Sequence, residues 1–181
     1  APTGVVARGG TGRDTIQFNG NLNSATVFGE NDGVASTGEN DSISVSGTLS
    51  GSYIQGNKGN DTLDIVGDIS GSSTVRGGKE EDSILLAGTV SNATVYGDLG
   101  KDTLSIGGDV RDASIYGGST TDTTTDGTDS ITIGGTLTSA YVQGNGGNDT
   151  LKIVGNIASA TAEGGAGKDY SVVGAAVGDV G

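Results

Sequence analysis

Cysteine, histidine, methionine and tryptophan are absent from this chain, which holds one proline, two phenylalanines and five tyrosines in 181 residues. Without cysteine there are no disulfides and no thiolate metal sites. Without histidine there is no imidazole to ligate a soft metal or act as a general base. So few large side chains imply a thin interior and exclude a bulky multilayer domain. Basic residues are also scarce: 9 Lys and Arg face 22 Asp and Glu, a formal charge of −13. That balance argues against nucleic acid or an anionic membrane surface as partner and favours cations. No run of apolar residues reaches the length of a membrane-spanning helix. The first residues, APTGVVARGG, lack the basic region and apolar run of a secretory signal. What the chain has in excess is glycine, 36 residues, several times the average usage of roughly 7%. High charge and low hydrophobicity ordinarily accompany disorder; a strict periodicity of the apolar residues excludes it here.

One aspartate anchors that periodicity: Asp14, Asp41, Asp61, Asp82, Asp102, Asp129, Asp149 and Asp169, at intervals of 27, 20, 21, 20, 27, 20 and 20 residues. Each interval of 27 is a 20 with seven extra residues, inserted between the glycine that opens a turn (Gly29, Gly117) and the next Asp. Two positions after the Asp stands an aliphatic residue (Ile16, Ile43, Leu63, Ile84, Leu104, Ile131, Leu151), and four after it another apolar one (Phe18, Val45, Ile65, Leu86, Ile106, Ile133, Ile153, Val173). A third set lies eight after it (Leu22, Leu49, Ile69, Val90, Val110, Leu137, Ile157, Val177), and a fourth precedes the turn (Val27, Ile54, Val75, Val95, Ile115, Val142).

The i, i+2 spacing in TIQF, TLDI, TLSI and TLKI is that of a strand with one buried face. Runs such as TVF, YIQ, TVR and TVY read as a second strand. Each coil is therefore strand, turn, strand, turn, and stacking identical positions closes a core that no coil closes alone. The predicted fold is an all-β, right-handed parallel β-solenoid, β-roll-like, of about eight coils of ~20 residues with two short strands each, handedness following the general preference of parallel crossovers. The Thr or Ser after each Asp (Thr15, Ser42, Thr62, Ser83, Thr103, Ser130, Thr150) is expected to form a hydroxyl ladder on the outer face. Coil eight decays, with Ser171 and Ala162 in place of core aliphatics.

A longer repeat overlies the first. YIQGNKGNDTLDIVGDIS at 53–70 matches YVQGNGGNDTLKIVGNIA at 141–158, an offset of 88 residues that the two insertions also obey. The expectation is two continuous four-coil modules, 1–93 and 94–181, in a rod whose ends lack polar caps, as in a segment of a longer array.

Glycine-rich turns lead into most of the anchoring aspartates: GGTGRD (9–14), GNKGND (56–61), GDLGKD (97–102), GNGGND (144–149) and GGAGKD (164–169). Glycines supply positive φ and turn backbone carbonyls toward a common point. Asp adds a hard carboxylate oxygen, and oxygen-only ligation suits Ca²⁺. The bland reading is that Asp merely accepts hydrogen bonds from nearby backbone amides. Against it, carboxylates ~4.8 Å apart in a stack repel by nearly 1 kcal/mol per pair even in water. Arg13, Lys58, Lys79, Lys101 and Lys168 lie in the turns and supply part of the counter-charge.

These turns resemble the RTX (haemolysin-type) calcium-binding repeat family, whose nonapeptide is G-G-x-G-x-D followed by x, an aliphatic and x. GGTGRDTIQ at 9–17 fits throughout, while GNKGNDTLD, GDLGKDTLS and GNGGNDTLK each miss the second glycine. The resemblance implies calcium between turns of successive coils, held by Asp14, Asp61, Asp82, Asp102, Asp149 and Asp169. It implies turn carbonyls as further ligands: Gly9 and Thr11, Gly56 and Lys58, Gly77, Gly97 and Leu99, Gly144 and Gly146, Gly164 and Ala166. The resemblance covers half of each coil, so calcium is expected along one edge. GGKEED at 77–82 has Glu80 where the family has glycine, and the insertions displace the turn before Asp41 and Asp129. The insert segments 30–41 and 118–129 are rich in Asp, Asn and Thr and are candidates for loop sites at Glu30, Asp32, Asp122 or Asp126.

The resemblance further implies a calcium-binding structural segment of a secreted bacterial cell-surface protein, S-layer-like or adhesin, folding or rigidifying on calcium outside the cell. Its expected partners are calcium and neighbouring copies or further repeats, with no nucleic acid and no membrane insertion. No catalytic constellation is expected, because the repeat itself accounts for the eight aspartates. Two alternatives stay open: a surface-recognition module for ice or polysaccharide, or a non-catalytic accessory module of a secreted carbohydrate-active enzyme. Tyr53, Gln55, Tyr141 and Gln143, related by the 88-residue repeat, read as surface strand residues with a minor claim to sugar binding.

Overall fold

The structure, a computed structural model, describes residues 3–30, 38–121 and 126–174. These residues form parallel strands and no helix. The chain winds as a β-solenoid of about eight coils, and the ~20-residue spacing of the sequence becomes strand pairing between coils.

Seven coils have three strands rather than the two expected, and in the eighth two are described. The longest run from Val6–Gly10 to Thr161–Ala166 and form an eight-stranded sheet; the four-residue strands from Thr15–Phe18 to Tyr170–Val173 form a second. The third strand has two residues (Leu22–Asn23, Leu49–Ser50, Ile69–Ser70, Val90–Ser91, Val110–Arg111, Leu137–Thr138, Ile157–Ala158), and these make a seven-stranded sheet. The apolar residue eight positions after the Asp thus has a wall of its own. Two residues are too few to display an alternating pattern, so the sequence shows only one apolar position there.

Register follows from the repeat. Thr15, Ser42, Thr62, Ser83, Thr103, Ser130 and Thr150 are aligned in one column, and Ile16, Ile43, Leu63, Ile84, Leu104, Ile131 and Leu151 in the next. The hydroxyl column points away from the core, while the aliphatic one is buried from Ile43 onward. Val27, Ile54, Val75, Val95, Ile115 and Val142 close the core from the long-strand sheet. Parallel β-sheet with one buried face per strand follows from such stacking, since identical residues fill identical space in each layer. Pairing continues without interruption at Thr94, which is aligned with Thr74 and Ser114. Coil eight is the loosest described layer: Tyr170–Val173 is exposed along its length, and Ala162 is only partly buried.

Candidate functional site

The anchoring aspartates form a column inside the solenoid. Asp61, Leu63 and Ile65 lie on one face of one strand segment, because side chains two apart in a strand point the same way. Asp41, Asp61, Asp82, Asp102, Asp129 and Asp149 are each at most 3% exposed. The expectation of calcium along one edge leaves the direction of the carboxylates open; parity with the core aliphatics puts them inside.

The carboxylates from Asp41 to Asp169 share one kind of hydrogen bond. In each, Oδ1 accepts from the backbone N–H of the anchoring Asp one coil earlier. The bonds run Asp14 to Asp41 (2.7 Å), Asp41 to Asp61 (2.7 Å), Asp61 to Asp82 (2.8 Å), Asp82 to Asp102 (2.8 Å), Asp102 to Asp129 (2.8 Å), Asp129 to Asp149 (2.8 Å) and Asp149 to Asp169 (2.9 Å). The other oxygen, Oδ2, is buried and has no hydrogen-bond partner in Asp14, Asp41, Asp61, Asp82, Asp102, Asp129 and Asp149.

Oδ2 lies over the first glycine of its own motif. A Cβ on Gly77 would stand 2.3 Å from Asp82 Oδ2 and 2.7 Å from the carbonyl oxygen of Gly97 in the next coil. Gly9, Gly29, Gly97, Gly117 and Gly144 are crowded in the same way, by the Asp of their own motif and a glycine carbonyl one coil on. At Gly56 and Gly164 the nearest atoms are those of Asp61 and Asp169. Glycine is required there because the carboxylate occupies the side-chain space.

The motif is less of a turn than expected. Tyr53–Lys58 is strand through Gly56 and Lys58, and Thr74–Lys79, Thr94–Leu99, Tyr141–Gly146 and Thr161–Ala166 likewise run through the predicted carbonyl ligands Gly77, Gly97, Leu99, Gly144, Gly146, Gly164 and Ala166. In the first coil Gly9 is also in strand, with Thr11 in the bend that follows. Parallel pairing to the neighbouring coil holds the segment extended. Its φ angles nevertheless alternate in sign. The second position is positive at Gly10, Asn57, Gly78, Asp98, Asn145 and Gly165, and the fourth at Gly12, Gly59, Glu80, Gly100, Gly147 and Gly167. Glu80, with φ 74°, keeps the conformation that glycine has at this position in five other coils.

Asp41 and Asp129, set aside because of the insertions, are full members of the column. Ile43 and Val45, and Ile131 and Ile133, follow them at the usual spacing, a signal in the sequence that the insertions leave the interior register intact. Where the inserts leave the coil, a side-chain amide clamps the chain: Asn57 Nδ2 donates to the Glu30 carbonyl (3.2 Å) and Asn145 Nδ2 to the Gly118 carbonyl (2.7 Å). Carboxylates anchor the inserts as well. Glu30 Oε1 accepts from the Glu39 amide, and Asp126 Oδ2 from the amides of Ser119 and Gly146. Asp32 and Asp122 lie outside the described residues.

Burial governs the electrostatics of the column. It raises the carboxyl of Asp82 to about 9, Asp129 to about 8, Asp61 and Asp102 to about 7, and Asp149 to about 6; Asp41 is raised too. The amide bond to Oδ1 opposes the rise, and neighbouring carboxylates add to it. A second corner of the coil isolates the cause. There Asn21, Asp68 and Asp109 each accept the amide of Thr48, Thr89 or Thr136 in the next coil. The bond is of the same kind, but Asp109 is lowered, chiefly by the Thr136 amide and with help from Arg111, because the opposing desolvation is small at this partly exposed corner. Acidic acceptors at that corner also recur only in alternate coils, which roughly doubles their separation to ~10 Å.

The basic residues do not neutralise the column. Among the described residues the ion pairs are Arg76–Asp98 and Arg111–Asp109, and neither includes an anchoring Asp. Arg13, Lys58, Lys79, Lys101 and Lys168, expected to offset the charge, make no ion pair with it. Among the described residues no three His, Cys, Asp or Glu side chains converge on a point suited to a metal. A cation at the column would therefore take one carboxylate oxygen per layer together with main-chain carbonyls. The donor set fits a hard cation in kind: all oxygen, with one buried oxygen lacking a partner in each of seven layers.

Comparison with protein-family models, with curated proteins and with solved structures finds no match.

Proposed function

We propose that this chain is a calcium-binding structural segment of a secreted bacterial cell-surface protein, S-layer-like or adhesin, that rigidifies when calcium neutralises its interior carboxylate column. The observation that carries this reading is the set of buried, unpartnered Oδ2 atoms in seven successive coils. A buried polar atom without a partner costs about 1–3 kcal/mol, and more when charged. Repetition through the length of the rod makes a local defect an inadequate account. Either a proton or a cation must complete each carboxylate at neutral pH.

Calcium is favoured over other cations by the donors: carboxylate and carbonyl oxygens, with no nitrogen or sulfur in reach of a softer ion. The ligands would be Asp14, Asp41, Asp61, Asp82, Asp102, Asp129, Asp149 and Asp169 with carbonyls of the adjoining glycine segments. The formal charge of −13 agrees with a protein that works where divalent cations are abundant.

A second reading rests on Oδ1. Seven amide-to-carboxylate bonds already tie each coil to the next, so a column of neutral acids in a purely structural solenoid would need no metal. Surface recognition has less support. Beside the outer hydroxyl column stand Gln17, Ser44, Asp64, Leu85, Ser105, Thr132 and Lys152, which offer no second row of hydroxyls for an ice lattice.

Far-UV circular dichroism during calcium titration of chelator-stripped protein, with magnesium as control, separates the two readings. A calcium-specific gain in β signal or in unfolding midpoint supports the first. A full β signal and an unchanged midpoint in chelator at neutral pH would replace it by the second.

A further inference from the structure

Tyrosine is the one readily oxidised side chain in this sequence, since cysteine, methionine, tryptophan and histidine are all absent. Three of the five tyrosines adjoin one another on the outer face of the long-strand sheet. Tyr96 and Tyr116 are aligned partners on neighbouring strands, with ring centroids 5.1 Å apart and planes 12° apart. At that separation coplanar rings would collide edge to edge, so the rings are stacked face to face with an offset. Tyr141, one coil on and diagonal to Tyr116, has its ring centroid 5.9 Å away, tilted by 54°. Its hydroxyl donates to Glu163 Oε2 at 3.1 Å. A carboxylate is thus in place to take the phenolic proton as Tyr141 loses an electron.

The first half of the chain lacks this arrangement. At the matching positions, 88 residues earlier, stand Arg8, Phe28 and Tyr53. Arg8 lies over the Phe28 ring at 4.5 Å, and Phe28 is Tyr53's aromatic neighbour at 5.7 Å. The Tyr53 hydroxyl donates to the Gln55 side-chain carbonyl, which does not take up a proton at neutral pH. Tyr170, 64% exposed, makes no ring contact among the described residues.

We propose that Tyr96 and Tyr116 are an oxidative cross-linking site, joined as dityrosine between coils five and six by a one-electron oxidant of the peroxidase and hydrogen peroxide class. Each phenol gives up one electron and one proton. The two tyrosyl radicals form a carbon–carbon bond between ring positions ortho to their oxygens, and the hydrogens displaced there move to the oxygens to restore both phenols. The two electrons and two protons reduce one hydrogen peroxide to two waters. Tyr141, with Glu163 as proton acceptor, is the entry point, and its contact with Tyr116 passes the oxidation to the stacked pair. The product ties the coil that carries the 118–129 insertion to the coil before it, a covalent closure that a chain without cysteine gets from no disulfide.

The experiment is treatment of the 181-residue chain in dilute solution with peroxidase and hydrogen peroxide, followed by isolation of the monomer. Dityrosine fluorescence is read on the monomer, and cross-linked peptides are identified by tandem mass spectrometry. The expected product joins the peptides of Tyr96 and Tyr116 with a mass two hydrogens below their sum. Tyr116→Phe is expected to abolish the monomer signal, and Tyr53→Phe to leave it unchanged. Tyr116→Phe tests chemistry rather than folding, because Phe28 already occupies the matching position in the first half. The proposal is overturned if the monomer shows no dityrosine, if the signal persists in Tyr116→Phe, if the link joins Tyr116 to Tyr141 instead, or if coupling occurs only between molecules through Tyr170.

Discussion

The backbone N–H of Asp61 donates to Oδ1 of Asp82 at 2.8 Å, while Oδ2 of Asp82 is buried against Gly77 without a partner. One carboxyl group thus does two separable things: it accepts a bond that ties two coils, and it buries an oxygen that needs a proton or a cation. Asn separates them, since its side-chain carbonyl accepts the same amide while its NH₂ carries no charge and ligates no calcium. Asp82→Asn is expected to raise the urea midpoint in chelator and to shrink the gain on adding calcium. Asp82→Ala loses the amide's acceptor as well and is expected to cost about 1–3 kcal/mol with or without calcium. Urea unfolding of both variants in chelator and in calcium checks this; equal behaviour of Asn and Ala would show that the Oδ1 bond contributes nothing.

Glycine at the first motif position is an expectation of packing, not of φ. A methyl group at Gly77 would meet Asp82 Oδ2 at 2.3 Å and the Gly97 carbonyl at 2.7 Å, neither of them the end of a flexible chain. Gly77→Ala is therefore expected to destabilise by about 3 kcal/mol, the upper range for overpacking a well-filled interior. Gly107→Ala serves as its control, because Ala87, Val66 and Val154 occupy the equivalent place in other coils. It is expected to change stability by under about 0.5 kcal/mol. Thermal unfolding of the two variants reads the difference directly.

Much of this architecture is legible in the sequence. The aliphatics two and four residues after each Asp set the register of the second sheet, and the outer hydroxyl column follows from the same parity. The inward direction of the aspartates is legible too, since Asp61, Leu63 and Ile65 share one parity and therefore one face. It is obscured by the habit of placing charge outside, which fails here because each Oδ1 finds an amide. The same parity keeps Asp41 and Asp129 in the column, as insertions placed before the Asp do not alter the strand after it. Other features lie beyond the reach of pattern. The strand Leu22–Asn23 is too short to alternate. The Tyr96–Tyr116 contact depends on alignment between neighbouring coils, and the clamp from Asn145 to Gly118 spans 27 residues across an insertion.

That clamp has its own expected effect. Asn145 is buried, has φ 79°, and its Nδ2 donates to the Gly118 carbonyl at 2.7 Å. Asn145→Gly keeps the positive φ and removes the bond, leaving a buried carbonyl short of a partner at a cost of about 1–2 kcal/mol. Asn145→Ala adds left-handed strain of about 1 kcal/mol more. Limited proteolysis is expected to cut the 118–129 segment faster in both variants, with Ala unfolding at lower urea than Gly. Unchanged cleavage in Asn145→Gly would show that the insert is held by Asp126 alone.

The dependence of stability on pH follows from the raised carboxyls of the column. Burial raises Asp61 and Asp102 to about 7, Asp129 to about 8 and Asp82 to about 9, against an ordinary carboxyl value of 3.8 in the unfolded chain. Between those values the folded protein holds protons that the unfolded chain has released, so stability falls as pH rises. The stabilisation is complete below about pH 4 and is lost progressively from there to about pH 9. A tenfold change in the proton affinity of one carboxylate is worth about 1.4 kcal/mol, so several buried carboxyls together reach the scale of a domain's net stability, about 5–15 kcal/mol. The metal-free protein is accordingly expected to melt at a higher temperature at pH 5 than at pH 8. Calcium is expected to reverse the slope, because a cation bound to ionised carboxylates competes with the protons and is favoured as they leave. Thermal melts from pH 4 to pH 9, in chelator and in calcium, test both halves. A chelator profile that is flat or rises with pH would mean that a monovalent cation such as sodium completes the column, and that burial does not set its charge.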